Sequence, residues 1–122
     1  MQRVIFDSSF LMAVVARPTT WFEDIVDSVG KFEPVILDCV RSELERLASR
    51  EGRRSRDARA SLEMASRFKA ERSGTGRVDD EIASAARSTG AMVATADSEL
   101  ANTLRASHLK VISLRKGRVD VQ

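Results

Sequence analysis

The sequence predicts an α/β protein, a three-layer α/β/α sandwich around a central, mainly parallel sheet. Short apolar stretches alternate with amphipathic stretches along the chain, and strands alternating with helices favour a parallel sheet covered on both faces. With 122 residues, 43% of them hydrophobic and 31% charged, residues 1–122 have the size and balance of one globular domain. No apolar run approaches the roughly 18 residues of a membrane span, so we expect a cytoplasmic protein without a membrane partner.

The first half of the chain predicts two strands and four helices. The strands are RVIF (3–6) and PVIL (34–37), and the helices are SSFLMAVVA (8–16), TTWFEDIVDSVG (19–30), CVRSELERLASR (39–50) and GRRSRDARASLEMASRFKAE (52–71). Thr20 and Glu23 have the spacing of a capping box, which would begin the second of these helices. The apolar face of that helix is wider than a lone surface helix needs, which predicts a homodimer. This face comprises Trp21, Phe22, Ile25, Val26 and Val29.

The second half predicts alternating helices and strands after a flexible loop, RSGTGR (72–77). The helices are DDEIASAARSTG (79–90) and SELANTLRAS (98–107). The strands are AMVAT (91–95), LKVISL (109–114) and an edge strand, GRVDV (117–121).

Acidic residues fall where the predicted strands end and helices begin. Asp7 follows strand 3–6, Asp79 opens helix 79–90, and Asp97 follows strand 91–95. Sites in open parallel sheets form at the carboxyl ends of strands, although each of these aspartates, taken alone, is most simply a helix N-cap. Glu43 lies at the margin of the buried stripe of helix 39–50, slightly closer to it than Glu45.

Glu43 could instead form a surface ion pair with Arg46, three residues later. Taken together, however, several carboxylates at one sheet edge repel each other unless a cation or protons intervene. Oxygen ligands without histidine suit Mg²⁺ or Mn²⁺, and such a site activates water for phosphoryl displacement. His108 and Cys39 are the only residues of their types, which argues against zinc sites, disulfides and histidine-dependent nucleophiles.

Four motifs, in order, resemble those of the PIN-domain nucleases over nearly the whole chain. They are VIFDSS, VRSEL, VDDEIASAA and ATADSEL. The resemblance implies that the catalytic and metal-binding acids are Asp7, Glu43, Asp79 and Asp97. It implies supporting roles for Ser9 and Thr95, and it favours Asp79 over Asp80 as the third acid. Asp80, Glu99 and Asp38 are further acids near the expected site.

The resemblance implies a ribonuclease that depends on Mg²⁺ or Mn²⁺. The tail from VDDEI to LKVISLRKG is more similar to archaeal rRNA-processing PIN domains than to VapC-type toxins, so we expect an RNA substrate and a ribosome-processing partner or an antitoxin. A non-catalytic RNA-binding PIN domain is an alternative. A phosphoacceptor receiver domain is another, but it would need an acidic pair where the chain has only Asp7.

Arginine outnumbers lysine by 16 to 4. The planar guanidinium binds two phosphate oxygens at once, although a biased genome or a hot habitat would produce the same ratio. The segment SREGRRSRDAR (49–59) supplies the predicted RNA-binding residues, unless it is simply a solvated helix face. These residues are Arg50, Arg53, Arg54, Arg56 and Arg59.

Overall fold

In the computed structural model, which describes residues 1–122, six strands form a single sheet. The strands are β1 (Gln2–Phe6), β2 (Phe32–Leu37), β3 (Lys69–Glu71), β4 (Met92–Thr95), β5 (Val111–Arg115) and β6 (Arg118–Val121). The helices are α1 (Ser8–Ala16), α2 (Trp21–Val29), α3 (Asp38–Ala48), α4 (Arg53–Met64), α5 (Val78–Thr89) and α6 (Ser98–Ala106), with a short 3₁₀ helix at Ala65–Arg67.

The strand order across the sheet is β3-β2-β1-β4-β5-β6. All neighbouring strands pair in parallel except β5 and β6, which form an antiparallel edge hairpin. The carboxyl ends of β1, β2, β4 and β5 therefore lie along one edge of the sheet. The predicted three-layer α/β/α class is confirmed, and β1 lies at the centre of the edge where parallel sheets form their sites.

The central strand is buried on both faces. Val4, Ile5 and Phe6 are fully buried, which explains why β1 is a continuous apolar run rather than an alternating one. The Phe6 ring packs edge-on against Phe10 and Trp21, with ring centroids 5.4 and 5.5 Å away. This aromatic cluster fixes α1 and α2 against β1, so it also fixes the turn that follows Phe6.

The prediction of a helix over 52–71 is wrong in its last third. Helix α4 ends at Met64, and Lys69–Glu71 form β3, which pairs in parallel with β2 at Val35, Ile36 and Leu37. Tertiary contacts outweigh helix propensity here. The Phe68 ring packs 5.1 Å from that of Phe6, and Glu71 forms an ion pair with Arg3.

The predicted capping box at the start of α2 is also wrong. Thr20 has ψ of 33° and caps no backbone N–H, whereas an N-cap residue is usually extended. Its hydroxyl donates instead to Asp24 Oδ1 at 3.1 Å. The Trp21 N–H donates to the Thr19 hydroxyl at 3.2 Å, so the preceding threonine satisfies that helix donor.

Most of the apolar face of α2 covers the protein's own core. Ile25 is fully buried, and Trp21, Val26 and Val29 are partly buried against the core. Phe22 alone is exposed, at 45%. The apolar width that predicts a homodimer is therefore largely used within one chain. None of the helices has the length and hydrophobicity needed to cross a membrane.

Candidate active site

The turns after β1 and β4 place Asp7 and Asp97 on neighbouring strand ends. The Asp7 N–H donates to the Ala94 carbonyl at 2.9 Å, extending the pairing of the two strands by one residue. Asp79 lies in the first turn of α5, and Glu43 lies in the second turn of α3. All four predicted acids thus project from the carboxyl edge of the sheet or from a helix beginning there.

Asp7 occupies the N-cap position of α1, but its carboxylate caps no helix N–H. Its side chain is only 6% exposed. Its Oδ2 accepts hydrogen bonds from the Ser9 hydroxyl at 2.5 Å and from the Thr95 hydroxyl at 2.9 Å. The alternative that Asp7 is a capping residue is therefore wrong, and its carboxylate is held by two side chains instead.

Thr95 joins the ends of β1 and β4 through its hydroxyl group. The residue is fully buried. Its Oγ1 accepts a hydrogen bond from the Asp97 N–H at 3.0 Å and lies 3.1 Å from the Ser9 hydroxyl. Ser9 in turn accepts from the Ala96 N–H at 3.0 Å. Ser9 and Thr95 therefore fix both the Asp7 carboxylate and the backbone that leads to Asp97.

Glu43 is held by α1 and not by Arg46. The Ser8 hydroxyl donates to Glu43 Oε1 at 2.5 Å. The four ion pairs of the chain all lie elsewhere, so the Glu43–Arg46 surface pair does not form. Serine in the first turn of α1 thus turns the glutamate of α3 toward the strand ends.

Asp97 caps α6 and still belongs to the acidic cluster. Its Oδ1 accepts from the N–H groups of Glu99 and Leu100 at 2.9 and 3.2 Å. Its negative charge also raises the pKa of Asp79, so the two carboxylates are near enough to repel each other. The Glu99 side chain is exposed in the same first turn.

The pKa of Asp7 is raised above its ordinary value of 3.8, chiefly because burial removes water from the carboxylate. The hydrogen bonds from Ser9 and Thr95 act in the opposite direction, since they stabilise the ionised form. The negative charges of Glu43 and Asp79 raise this pKa further. Asp7 is therefore a buried acid surrounded by other acids.

The pKa of Asp79 is also raised, first by partial desolvation and then by the charge of Asp97. The Arg77 guanidinium opposes this rise, and the charges of Glu43 and Asp80 add to it. Asp79 thus interacts with every other member of the predicted quartet. Asp79 and Asp80 are both exposed, and the charge of Asp80 contributes least of these to the raised pKa of Asp79.

The donor set fits a hard divalent cation, although the side chains do not form a closed ligand shell as they stand. No group of three or more His, Cys, Asp or Glu side chains is close enough to hold a metal ion. The four carboxylates supply only oxygen ligands, and none of them has an arginine or lysine partner. Mg²⁺ or Mn²⁺ is the type of ion that such a set prefers.

Two clefts meet at Glu43 and Arg46. One has a volume of about 470 Å³ and is also lined by Ser8, Ser9 and Arg54. The other has a volume of about 320 Å³, and one of its walls is the loop 73–76. Arg46 lines both clefts without an acidic partner, so its guanidinium is free to bind an anion, although its position three residues after Glu43 predicts an ion pair. The sequence offers one indication that Arg46 lies near the site, because residues three apart on a helix share a face and Glu43 is three residues earlier.

Of the five arginines predicted to bind RNA, only Arg54 lines either cleft. Arg59 donates to the Ala48 carbonyl at 2.9 Å and links α4 to the end of α3. The other three are exposed and line neither cleft. They are Arg50, Arg53 and Arg56.

The loop expected to be flexible is tied to its surroundings by three hydrogen bonds. The Cys39 N–H donates to the Ser73 hydroxyl at 3.0 Å, and the N–H groups of Gly74 and Gly76 donate to the two carboxylate oxygens of Glu81. A Cβ at either glycine would lie within 3.0 Å of that carboxylate, so a larger residue there would displace the Glu81 side chain from these hydrogen bonds. Glu81 therefore holds one wall of the cleft beside Glu43.

Comparison with known proteins supports these assignments of fold and family. A family model described as a PIN-like domain matches residues 4–117. The structure of the PIN domain endonuclease Utp24 is 27% identical, with a TM-score of 0.79 over 98% of this chain and 90% of that one. Similarity along nearly the whole of both chains supports a nuclease function. No curated protein matches the sequence.

Two further solved structures share the fold. A domain of a functionally unknown protein from Methanocaldococcus jannaschii is 19% identical, with a TM-score of 0.68 over 100% of this chain and 97% of that one. PAE2754 from Pyrobaculum aerophilum is 21% identical, with a TM-score of 0.52 over 81% of this chain and 77% of that one. With the family match over most of the sequence, these findings establish that the chain belongs to the PIN-like domain family.

Proposed function

We propose that this chain is an endoribonuclease that depends on Mg²⁺ or Mn²⁺ and binds the ion through Asp7, Glu43, Asp79 and Asp97. One observation carries the proposal. Three of these carboxylates have one oxygen fixed by the protein and the other without a hydrogen-bond partner. The fixed oxygens are Oδ2 of Asp7, Oε1 of Glu43 and Oδ1 of Asp97.

Carboxylates with one hydrogen-bonded oxygen and one free oxygen suit ligand binding better than purely structural roles. A hydrogen bond to one oxygen restricts the rotation of the group, while the second oxygen keeps its lone pairs for a ligand. Ser8, Ser9 and Thr95 supply these restraints without adding positive charge. The four carboxylates outnumber the one guanidinium that acts on them, that of Arg77, and this excess negative charge supports binding of a cation rather than of a neutral molecule.

The residues around the cluster support hydrolysis of a phosphodiester. A divalent ion bound by such acids lowers the pKa of a bound water and stabilises charge on the phosphoryl oxygens. Arg46 and Arg54 line the adjoining clefts and would hold phosphates of the strand by bidentate hydrogen bonds. The sole histidine, His108, follows the end of α6, so no histidine base is assigned.

We propose RNA processing as the biological setting, on the basis of the similarity of the tail motifs to rRNA-processing PIN domains. A gene for an antitoxin beside this one would favour the toxin alternative instead. Sequencing the ends of RNAs cut in cells would identify the substrate.

The test is cleavage of labelled single-stranded RNA with Mg²⁺ or Mn²⁺, with EDTA as a control. Asp7→Asn and Asp79→Asn should each lower the rate roughly 100-fold or more, because each loses a ligand charge. Asp80→Asn is the matched control, since it removes the same charge one residue away from Asp79 and should keep most activity.

Folding of each variant is checked by circular dichroism before the rates are compared. A folded Asp7→Asn protein that cuts as fast as the wild type would refute the proposal, as would activity that survives EDTA. A wild-type protein that binds RNA in the presence of metal without cutting it would favour the non-catalytic RNA-binding alternative.

A further inference from the structure

A separate polar cavity lies beside Asp97, on the side of the acidic cluster away from Glu43. It has a volume of about 230 Å³ and lies between the ends of β4 and β5 and one side of α6, from Ser98 in its first turn to Arg105 in its last. The side chains of Ser98, Asn102, Arg105, Ser113 and Arg115 line it. We call it the Arg105 cavity, and nothing in the proposed cleavage site uses these residues.

Arg105 carries a charge that no group in the chain neutralises. Its Nη2 donates to the Ser113 hydroxyl at 3.3 Å, and its buried Nε has no hydrogen-bond partner. The Nε of Arg3 is also buried and unpartnered, but that guanidinium forms ion pairs with Glu33 and Glu71. Arg105 has no such acid, so the positive charge of its guanidinium stays unpaired beside the cavity.

The remaining lining groups make the cavity electropositive. Arg115 is exposed and forms no ion pair. Asp97 is the only acid in the lining, and its Oδ1 is occupied by the N–H groups that begin α6. Two guanidinium groups, with the Ser98 hydroxyl and the Asn102 amide as neighbouring donors, match the hydrogen-bonding needs of a phosphate.

The order of the strands places the cavity in line with the cleavage site. Along the carboxyl edge, β2 and α3 come first, followed by β1, β4 and β5. Arg46 and Arg54 therefore lie on one side of Asp7 and Asp97, and the Arg105 cavity lies on the other. A single strand that follows this edge would contact arginines on both sides of the acids.

We propose that the Arg105 cavity binds a phosphodiester of the RNA strand, next to the phosphate that is cleaved and on the side away from Arg46 and Arg54. This inference rests on the proposed ribonuclease function for the identity of its ligand. Arg105 and Arg115 are then substrate-positioning residues, because they hold the strand across the acidic cluster without contacting the reacting atoms.

The experiment measures binding of a short fluorescein-labelled single-stranded RNA by anisotropy, in EDTA, between about 50 and 200 mM salt. Arg115→Ala is the primary variant because the residue is exposed, and Arg105→Gln is the second because glutamine keeps a donor group. Arg87→Ala is the matched control, since Arg87 is an exposed arginine in the last turn of α5, at the far end of that helix from Asp79.

Each cavity variant should bind RNA roughly tenfold more weakly at low salt. Its salt dependence should flatten by about 0.7 in the log–log slope for each phosphate that the variant no longer neutralises. Arg87→Ala should match the wild type. If Arg115→Ala and folded Arg105→Gln both keep the wild-type slope, the proposal is overturned.

A second arm separates an RNA phosphate from a free one. Inorganic phosphate alone is added during thermal unfolding. Free phosphate would be the ligand if it stabilises the wild type but not Arg105→Gln, while the salt dependence of RNA binding is the same in both proteins. That result would overturn the proposal. Because binding is measured without cleavage, flattened slopes in a protein that does not cut RNA would support the cavity while refuting the nuclease. Cleavage of RNA by the wild type, with the same salt dependence of binding in the cavity variants, would support the nuclease while refuting the role of the cavity.

Discussion

Replacing Thr95 with valine should destabilise the fold and impair the site together, because one hydroxyl joins two strand ends. Thr95 is fully buried, and its Oγ1 lies 2.9 Å from Asp7 Oδ2 and 3.0 Å from the Asp97 nitrogen. Valine keeps the β-branched shape but has no hydroxyl. The Asp7 carboxylate and the Asp97 N–H would each lose a partner.

The size of the effect follows from these two bonds. A buried hydrogen bond to a neutral group contributes about 1 kcal/mol, and one to a charged group about 2 kcal/mol, so Thr95→Val should cost about 3 kcal/mol. The entropy of unfolding for 122 residues is about 0.26 kcal/mol per kelvin. The expected fall in Tm is therefore about 12 °C.

Thr95→Ser is the matched control, because it keeps the hydroxyl and loses one methyl group. It should cost about 1 kcal/mol, or about 4 °C, and should keep activity. The assays are thermal unfolding in EDTA and RNA cleavage across a pH series. Since the Thr95 hydrogen bond lowers the pKa of Asp7, the acid limb of cleavage in Thr95→Val should move to higher pH. A valine variant as stable and as active as the serine variant would refute the reasoning.

Three further predictions concern charge, the cleft wall and assembly. In EDTA, the free energy of unfolding of Asp7→Asn should rise relative to that of the wild type as the pH increases above 3.8. The raised pKa means that ionising Asp7 costs more in the folded wild type than in the unfolded chain, and asparagine avoids that cost. A difference between the two proteins that stays constant with pH in urea unfolding would contradict this. Glu81→Gln should speed amide hydrogen exchange at residues 74–76 roughly tenfold. The glutamine side chain has only one acceptor oxygen, whereas each oxygen of the carboxylate accepts from one glycine N–H group. Unchanged exchange would show that Glu81 does not hold the loop 73–76 in place. The homodimer stays a prediction that now depends on Phe22; sedimentation velocity at micromolar concentration should show a dimer that Phe22→Glu dissociates, and a wild-type monomer would end it.

The fold could be predicted from the sequence because its main signals are local and mutually consistent. Buried parallel strands such as β1 and β4 are short apolar runs, and the helices between them have amphipathic spacing. The segment from Lys69 to Glu71 could not be assigned in this way. Its strand conformation depends on pairing with β2 and on the contacts of Phe68 and Glu71 with residues more than sixty positions away, which no local pattern encodes.

The site was predictable as a set of acids at strand ends, since topology alone brings such residues to one edge. The role of each oxygen was not predictable, because it depends on side-chain rotamers and on neighbours from other elements. Ser8 illustrates this: it follows Asp7 directly, yet its hydroxyl holds Glu43, 35 positions away. The freedom of Arg46 and Arg105 from acidic partners likewise became visible only when the helices were packed.

Helix capping and metal binding are often treated as competing explanations for an aspartate at a strand end, but a carboxylate has two oxygens and can serve both. Asp97 shows this division, because Oδ1 satisfies the N–H groups of α6 while Oδ2 accepts no hydrogen bond. The Asp7 carboxylate caps no N–H group of α1, although the residue occupies the N-cap position. Capping would stabilise a helix at little cost, whereas a buried acid among other acids opposes folding. A cation at this edge would reverse that cost, so the unfavourable placement of Asp7 is a second argument for a bound ion, beside the carboxylate oxygens left without hydrogen-bond partners.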